Sequence, residues 1–185
     1  MSSQNTYFDL PSFVNRYMVE SIEKCHFLQG KGHGDVLTRT NSHCIIYLQN
    51  FGEGVGFAFA AIADPETEFS LSEYLDAFVE GGRQKYWPKP PQGMDNEQKF
   101  INDLLAFNLV LTSETLAMPL SGDFSWIPKL TAYNEEYSRL GQELTRLEVI
   151  DEHPECDDIW RKNLNGDLTW MDDVRRILVE QESKS

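Results

Sequence analysis

Basic residues are scarce in this chain. Lysine and arginine number 16 against 30 aspartates and glutamates, which sets the formal net charge at −14. A field of that sign repels nucleic-acid phosphates and anionic lipids and attracts basic partners. Cysteine is nearly absent too: Cys25, Cys44 and Cys156 are scattered, and no CxxC occurs. That count excludes a disulfide framework and a paired-cysteine zinc site, and it suits reduced thiols in a cytoplasm. No apolar run approaches the ~18 residues of a membrane span. The start, MSSQNTYFDLP, lacks the basic and apolar regions of a secretory signal, so none is expected.

Catalytic signatures are missing as well. The four histidines, His26, His33, His43 and His153, form no HxxxH or HExxH pair, and there is no G-x-S-x-G elbow. His153 stands three residues before Cys156, beside Asp157 and Asp158, but Pro154 intervenes and other clear ligands are lacking. No catalytic residue, metal ligand or cofactor is nominated. With 30 acids in the chain, a chance carboxylate pair in a cleft carries no weight.

What the chain does have is material for one core. Its 185 residues, 41% of them apolar and 12% aromatic, are enough for a single globular domain over 1–185. Short frayed tails are expected at 1–6 and 181–185. The stretch Ser42–Ala63, SHCIIYLQNFGEGVGFAFAAIA, carries one formal charge, Glu53, and forms the hub that other elements must cover. Its glycines Gly52, Gly54 and Gly56 outline a phosphate-binding turn. The spacing is G-x-G-x-G, however, and Glu53 sits where a pyrophosphate would lie. The glycines therefore read as a close junction of two elements.

Two readings of the hub compete. Val55, Phe59 and Ile62 fall at i, i+4 and i+7, and the alanines favour helix. Alternatively, Cys44–Gln49 and Gly56–Ile62 are strands of a hairpin. The helical reading is preferred. Elsewhere, helical spacing marks 9–29, 70–80, 95–112, 129–147 and 168–179. Ser70 with Glu73 suggests a capping box, and Asp95 caps the helix that follows it. Segment 30–35 reads as a glycine loop, and 83–93 as a proline-rich connection with Trp87 tucked on the core. The expected fold is thus mainly α: a single-domain bundle of about six or seven helices packed as helical hairpins. The alternative is an α+β fold with a β-hairpin near 44–62.

Function is then expected on the surface. One acidic run is Asp64, Glu66, Glu68, Glu73, Asp76 and Glu80. Another, 148–158, holds Glu148, Asp151, Glu152, Glu155, Asp157 and Asp158 with no lysine or arginine. The loop with Asp123, Phe124 and Trp126 can supply aromatic anchors beside these acids. No motif assigns a family. In overall composition the chain is similar to small acidic bacterial immunity proteins, and no residue is carried over from that likeness. The expected activity is that of an immunity or antitoxin-type inhibitor, monomeric or homodimeric, which covers the active site of a basic toxin or enzyme. No nucleic-acid or membrane partner is expected. A small enzyme or ligand-binding domain with a pocket near His43, Cys44 and Gly52–Gly56 is the alternative. A nucleic-acid mimic is disfavoured because the acids occur in clumps.

Overall fold

A computed structural model describes residues 8–33, 35–88, 90–91, 93–149 and 153–183. The helical-bundle expectation is overturned. A five-stranded antiparallel sheet, ordered β1-β2-β3-β4-β5, occupies the region from β1 (Leu28–His33) to β5 (Asp64–Ser70). Between them lie β2 (Val36–Thr40), β3 (Cys44–Asn50) and β4 (Val55–Ala61). The helices are α1 (Leu10–Tyr17), α2 (Val19–Lys24), α3 (Leu71–Phe78), α4 (Asn96–Thr112), α5 (Ala117–Ser121), α6 (Ile127–Val149), α7 (Cys156–Leu164) and α8 (Thr169–Glu182).

Period-two burial explains the sheet. In β3, Cys44, Ile46, Leu48 and Asn50 point inward, while Ile45, Tyr47 and Gln49 alternate with them. In β4, Val55, Phe57 and Phe59 share the inward face, opposite Asn50, Leu48 and Ile46 in register. Phe57 stacks on Phe107 of α4 at 4.2 Å, and Phe59 meets Tyr74 and Trp126 edge-on at 5.5 Å each. Aromatic rings stacked on a helix face hold this strand despite its alanines, because strand preference is largely a matter of packing. Ala58 and Ala60 sit on the other face, where Tyr47 opposes Ala58, Ile45 opposes Ala60 and Gln49 opposes Gly56.

The expected first helix is shorter than 9–29. It breaks at Met18 and ends at Lys24, and Leu28 already belongs to β1. The expected glycine loop at 30–35 is largely strand, with a register shift between Gln29 and Gly32. At the start of α3 the capping box does not form: Ser70 Oγ bonds Ser72 Oγ, and Glu73 accepts from Asn134 instead. Asp95 does cap α4, accepting the Gln98 N–H at 2.8 Å. The expected tail at 181–185 begins inside α8, which runs to Glu182.

The apolar side chains form two clusters. The larger packs α1, α3 and α4 against the inner face of the sheet. The smaller holds Leu140, Leu144 and Leu147 of α6 against Cys156, Ile159, Trp170, Val174 and Ile177 of α7 and α8. The long helix α6 serves both, with Leu130 in the first and Tyr133 packed against each. No single helix among the described residues is long and apolar enough to cross a membrane.

Candidate functional site: a groove where the fifth strand ends

The site begins with a mismatch of strand lengths. β5 pairs with β4 only from Ala61 back to Ala58, because the chain turns into α3 at Leu71. The remaining β4 residues, Val55–Phe57, have no strand on that side. Asp103, two turns into α4, reaches the gap, and its Oδ2 accepts the Val55 N–H at 2.9 Å. The approach is close: a methyl group on Gly54 would lie 2.6 Å from the same oxygen. Gly54 is therefore required by contact, as the sequence spacing suggested for one of these glycines.

An open groove of about 750 Å³ lies here. Its wall is apolar where Val55, Phe57 and Trp87 meet, and Phe51 overhangs it. A Cβ on Gly56 would collide with the Phe51 ring at 2.4 Å, so this ring can lie over the strand only because the position is glycine. On the outer face of the sheet, Gly56 and Ala58 leave a hollow beside Tyr47 and Gln49. Large-beside-small pairing across β3 and β4 makes the surface concave.

Charge in the groove is uneven. Asp103 and Glu68 are its carboxylates and Arg83 its guanidinium. Arg83 is matched by Asp76, which accepts its backbone N–H at 2.8 Å and pairs with Nε at 3.2 Å. Asp103 and Glu68 make no ion pair among the described residues. Burial pushes the Asp103 carboxyl above its ordinary range, and the Val55 N–H and the Trp87 side chain offset part of that rise. Next to Glu68, Tyr47 donates its hydroxyl to the Pro65 carbonyl at 3.2 Å. Burial, then Glu68 and Glu66, push its phenol up.

The residues singled out from the sequence fall in two places. Asp123, Phe124 and Trp126 precede the start of α6, and Glu148 lies at its end. A rise of 1.5 Å per residue puts those ends roughly 33 Å apart, so the structure does not gather them into one patch. Trp126 is only 3% exposed and lies among Phe59, Phe69, Tyr74, Phe78 and Phe124. It is a core residue, with no face to offer a partner. Phe124 is half-buried beside it, and the exposed Asp123 accepts the Ser125 N–H at 2.9 Å.

At the other end, several acids are answered from within the chain. Glu148 accepts from the Trp160 indole at 2.7 Å, Glu155 pairs with Arg176, and Asp158 pairs with Arg161 at 2.7 Å. Asp157 is exposed. Asp151 and Glu152 lie outside the described residues.

The pocket suggested near His43, Cys44 and Gly52–Gly56 is divided by the fold. Gly56 lines the groove, whereas His43 packs against Gly122 and Cys44 is fully buried. Burial pushes the Cys44 thiol up to about 12, the wrong direction for a nucleophile. Among the described residues no group of three or more histidines, cysteines and carboxylates is placed to hold a metal ion. Sequence reasoning missed Asp103, Glu68 and Phe57 as a group. The period-two spacing of Val55, Phe57 and Phe59 was the signal available for one wall. Nothing local connects Asp103 to Val55, 48 residues away.

No protein-family model matches the chain, and neither a curated protein nor a solved structure matches it.

Proposed function

We propose that this is an acidic binding protein that neutralises a basic toxin or enzyme, as an immunity protein or antitoxin does, by covering the partner's active site. The observation that carries the reading is the unmatched negative charge beside an apolar groove. Asp64, Glu66 and Glu68 of β5 are all exposed and make no ion pair among the described residues. Glu68 also lines the groove, on the outer face of the sheet beside Tyr47, while Phe57 and Trp87 form its apolar wall. Acids that steer encounter, set next to apolar surface that holds a bound partner, are the two requirements of fast and tight association. The excess of 30 acids over 16 bases favours a basic partner over a nucleic acid or an anionic membrane.

The test is co-expression with the polypeptides encoded beside its gene. A stable complex is expected with one that is basic and growth-arresting, together with rescue of growth. Its association rate should fall on the order of tenfold between low and high salt. Lack of a complex with every basic neighbour, or an association rate indifferent to salt, contradicts the reading.

A further inference from the structure

We propose that the groove at the end of β5 is a docking site for a segment of the basic partner that carries two lysine or arginine side chains, one with its stem on Phe57 and Trp87 and its head at Asp103, the other with its head at Glu68 on the outer face of the sheet. The inference rests on the inhibitor reading and names the surface through which it works.

Three features of the groove point to this occupant. The first is charge complementarity. Two carboxylates face the groove against one guanidinium, and that guanidinium is already paired with Asp76. A cation entering the groove would find two carboxylates with no counter-ion among the described residues, although Asp103 already accepts from the Val55 N–H and the Trp87 side chain. The second is shape. Lysine and arginine carry long apolar stems that lie along hydrophobic surface while the head stays polar. Phe57 and Trp87 provide such a surface, 5.8 Å apart between ring centroids, and aromatic faces attract cations. The third is the preorganisation of the carboxylate. Asp103 is tied by the Val55 N–H and held in a half-buried setting, so it need not be ordered on binding. The rest of its lone-pair capacity is available to a donor.

Other occupants fit less well. A phosphate or carboxylate ligand would meet like charge. A second copy of this chain would bring a net charge of −14 against −14. A purely apolar ligand would leave the Asp103 charge buried without a counter-ion.

The experiment uses the whole protein and fluorescein-labelled hexapeptides, Gly-Leu-Lys-Arg-Leu-Gly and two sisters in which both cations become norleucine or glutamate. Anisotropy is measured at low and high salt. The cationic peptide is expected to bind at least tenfold more tightly than the norleucine peptide, and the glutamate peptide not at all. Glu68→Gln and Asp103→Asn should each weaken the cationic peptide by about fivefold or more, and Ala58→Phe should fill the hollow and abolish binding. Glu68 is exposed and makes no hydrogen bond or ion pair among the described residues, so Glu68→Gln tests the proposal even if Asp103→Asn folds poorly. Glu20→Gln with Glu23→Gln on α2 removes twice the charge of either groove variant, elsewhere on the surface, and should change affinity less than twofold.

The proposal falls if the norleucine peptide binds as well as the cationic one, if the cationic peptide does not bind, or if the α2 double variant weakens binding as much as the groove variants do. Should a basic partner be found whose affinity is untouched by the groove variants, the docking site is wrong and the inhibitor reading survives. Should the peptide bind in the groove while no basic neighbour forms a complex, the inhibitor reading is wrong and the site survives.

Discussion

Asp103 on α4 accepts the backbone N–H of Val55 at 2.9 Å and so ties the β3–β4 hairpin to a helix 48 residues further on. The bond takes the place of the strand pairing that β5 does not extend to this point, and it leaves a half-buried carboxylate at the edge of the groove.

The fit between Asp103 and Gly54 should appear in a double-mutant cycle. Gly54→Ala places a methyl group 2.6 Å from Asp103 Oδ2 and should cost about 1–3 kcal/mol. Asp103→Ala leaves the Val55 N–H unanswered and should cost about 1–3 kcal/mol as well. In the Asp103→Ala background the Gly54→Ala cost should shrink, because the clashing oxygen is gone. Urea denaturation of the four proteins checks this; strict additivity would contradict the contact.

The pH dependence of stability carries a second signature of Asp103. Its folded value is raised, so the native state holds the proton more tightly than the unfolded chain. The stability this provides is fully present below the ordinary aspartate range of about 4 and is lost as pH rises through the raised value. Asp103→Asn has no such loss. The stability of the natural protein relative to Asp103→Asn should therefore be greatest near pH 4 and decline toward neutrality. Asp76, also raised by burial, acts alike in both proteins and drops out of the difference. Urea midpoints from pH 4 to 7 measure it.

Trp126 separates a core role from a surface one. Trp126→Ala should cost about 3–5 kcal/mol, and Trp126→Phe distinctly less, because the ring fills a cluster of other aromatics. Thermal unfolding reports both. A surface anchor would leave stability nearly unchanged and alter only partner affinity.

The thiols should respond in a fixed order. Cys44 and Cys156 are buried, whereas Cys25 is half-buried with its thiol 3.5 Å from the Leu111 carbonyl. Burial pushes the Cys25 and Cys44 thiols up. Iodoacetamide at neutral pH should label the folded protein slowly and at Cys25 first, with all three thiols reacting in denaturant. Mass spectrometry of the labelled peptides gives the order, and rapid native labelling of Cys44 would contradict its position under the sheet.

The C-terminal two-thirds of the fold was more legible than the first third. The helices α4, α6 and α8 lie close to the expected 95–112, 129–147 and 168–179, because their apolar spacing has no competing reading. β4 was misread because alanines with Val55, Phe59 and Ile62 imitate a helix face. Phe57, between the first two, restores the strand alternation, and its stacking on Phe107 decides the matter. β5 was hidden by its composition, since DPETEFS is mostly exposed and keeps only Phe69 and Ser70 partly covered. The groove was beyond sequence reading for another reason: Trp87, Asp103 and Glu68 meet only through tertiary packing. The acidic runs were visible as sequence, but their neutralisation by Arg161 and Arg176 was not.

The long helix α6 has a consequence for how the molecule opens. It is a single rod shared by two apolar clusters, so neither can melt without fraying the support of the other. Amide exchange should thus report one cooperative unit and not two. The junction carries one unsatisfied polar group. Among the described residues the Tyr133 hydroxyl is buried there with no hydrogen-bond partner, and burial beside Asp76 pushes its phenol up to about 12. The cost of that unpaired hydroxyl falls on both clusters together, because the ring that carries it packs against each.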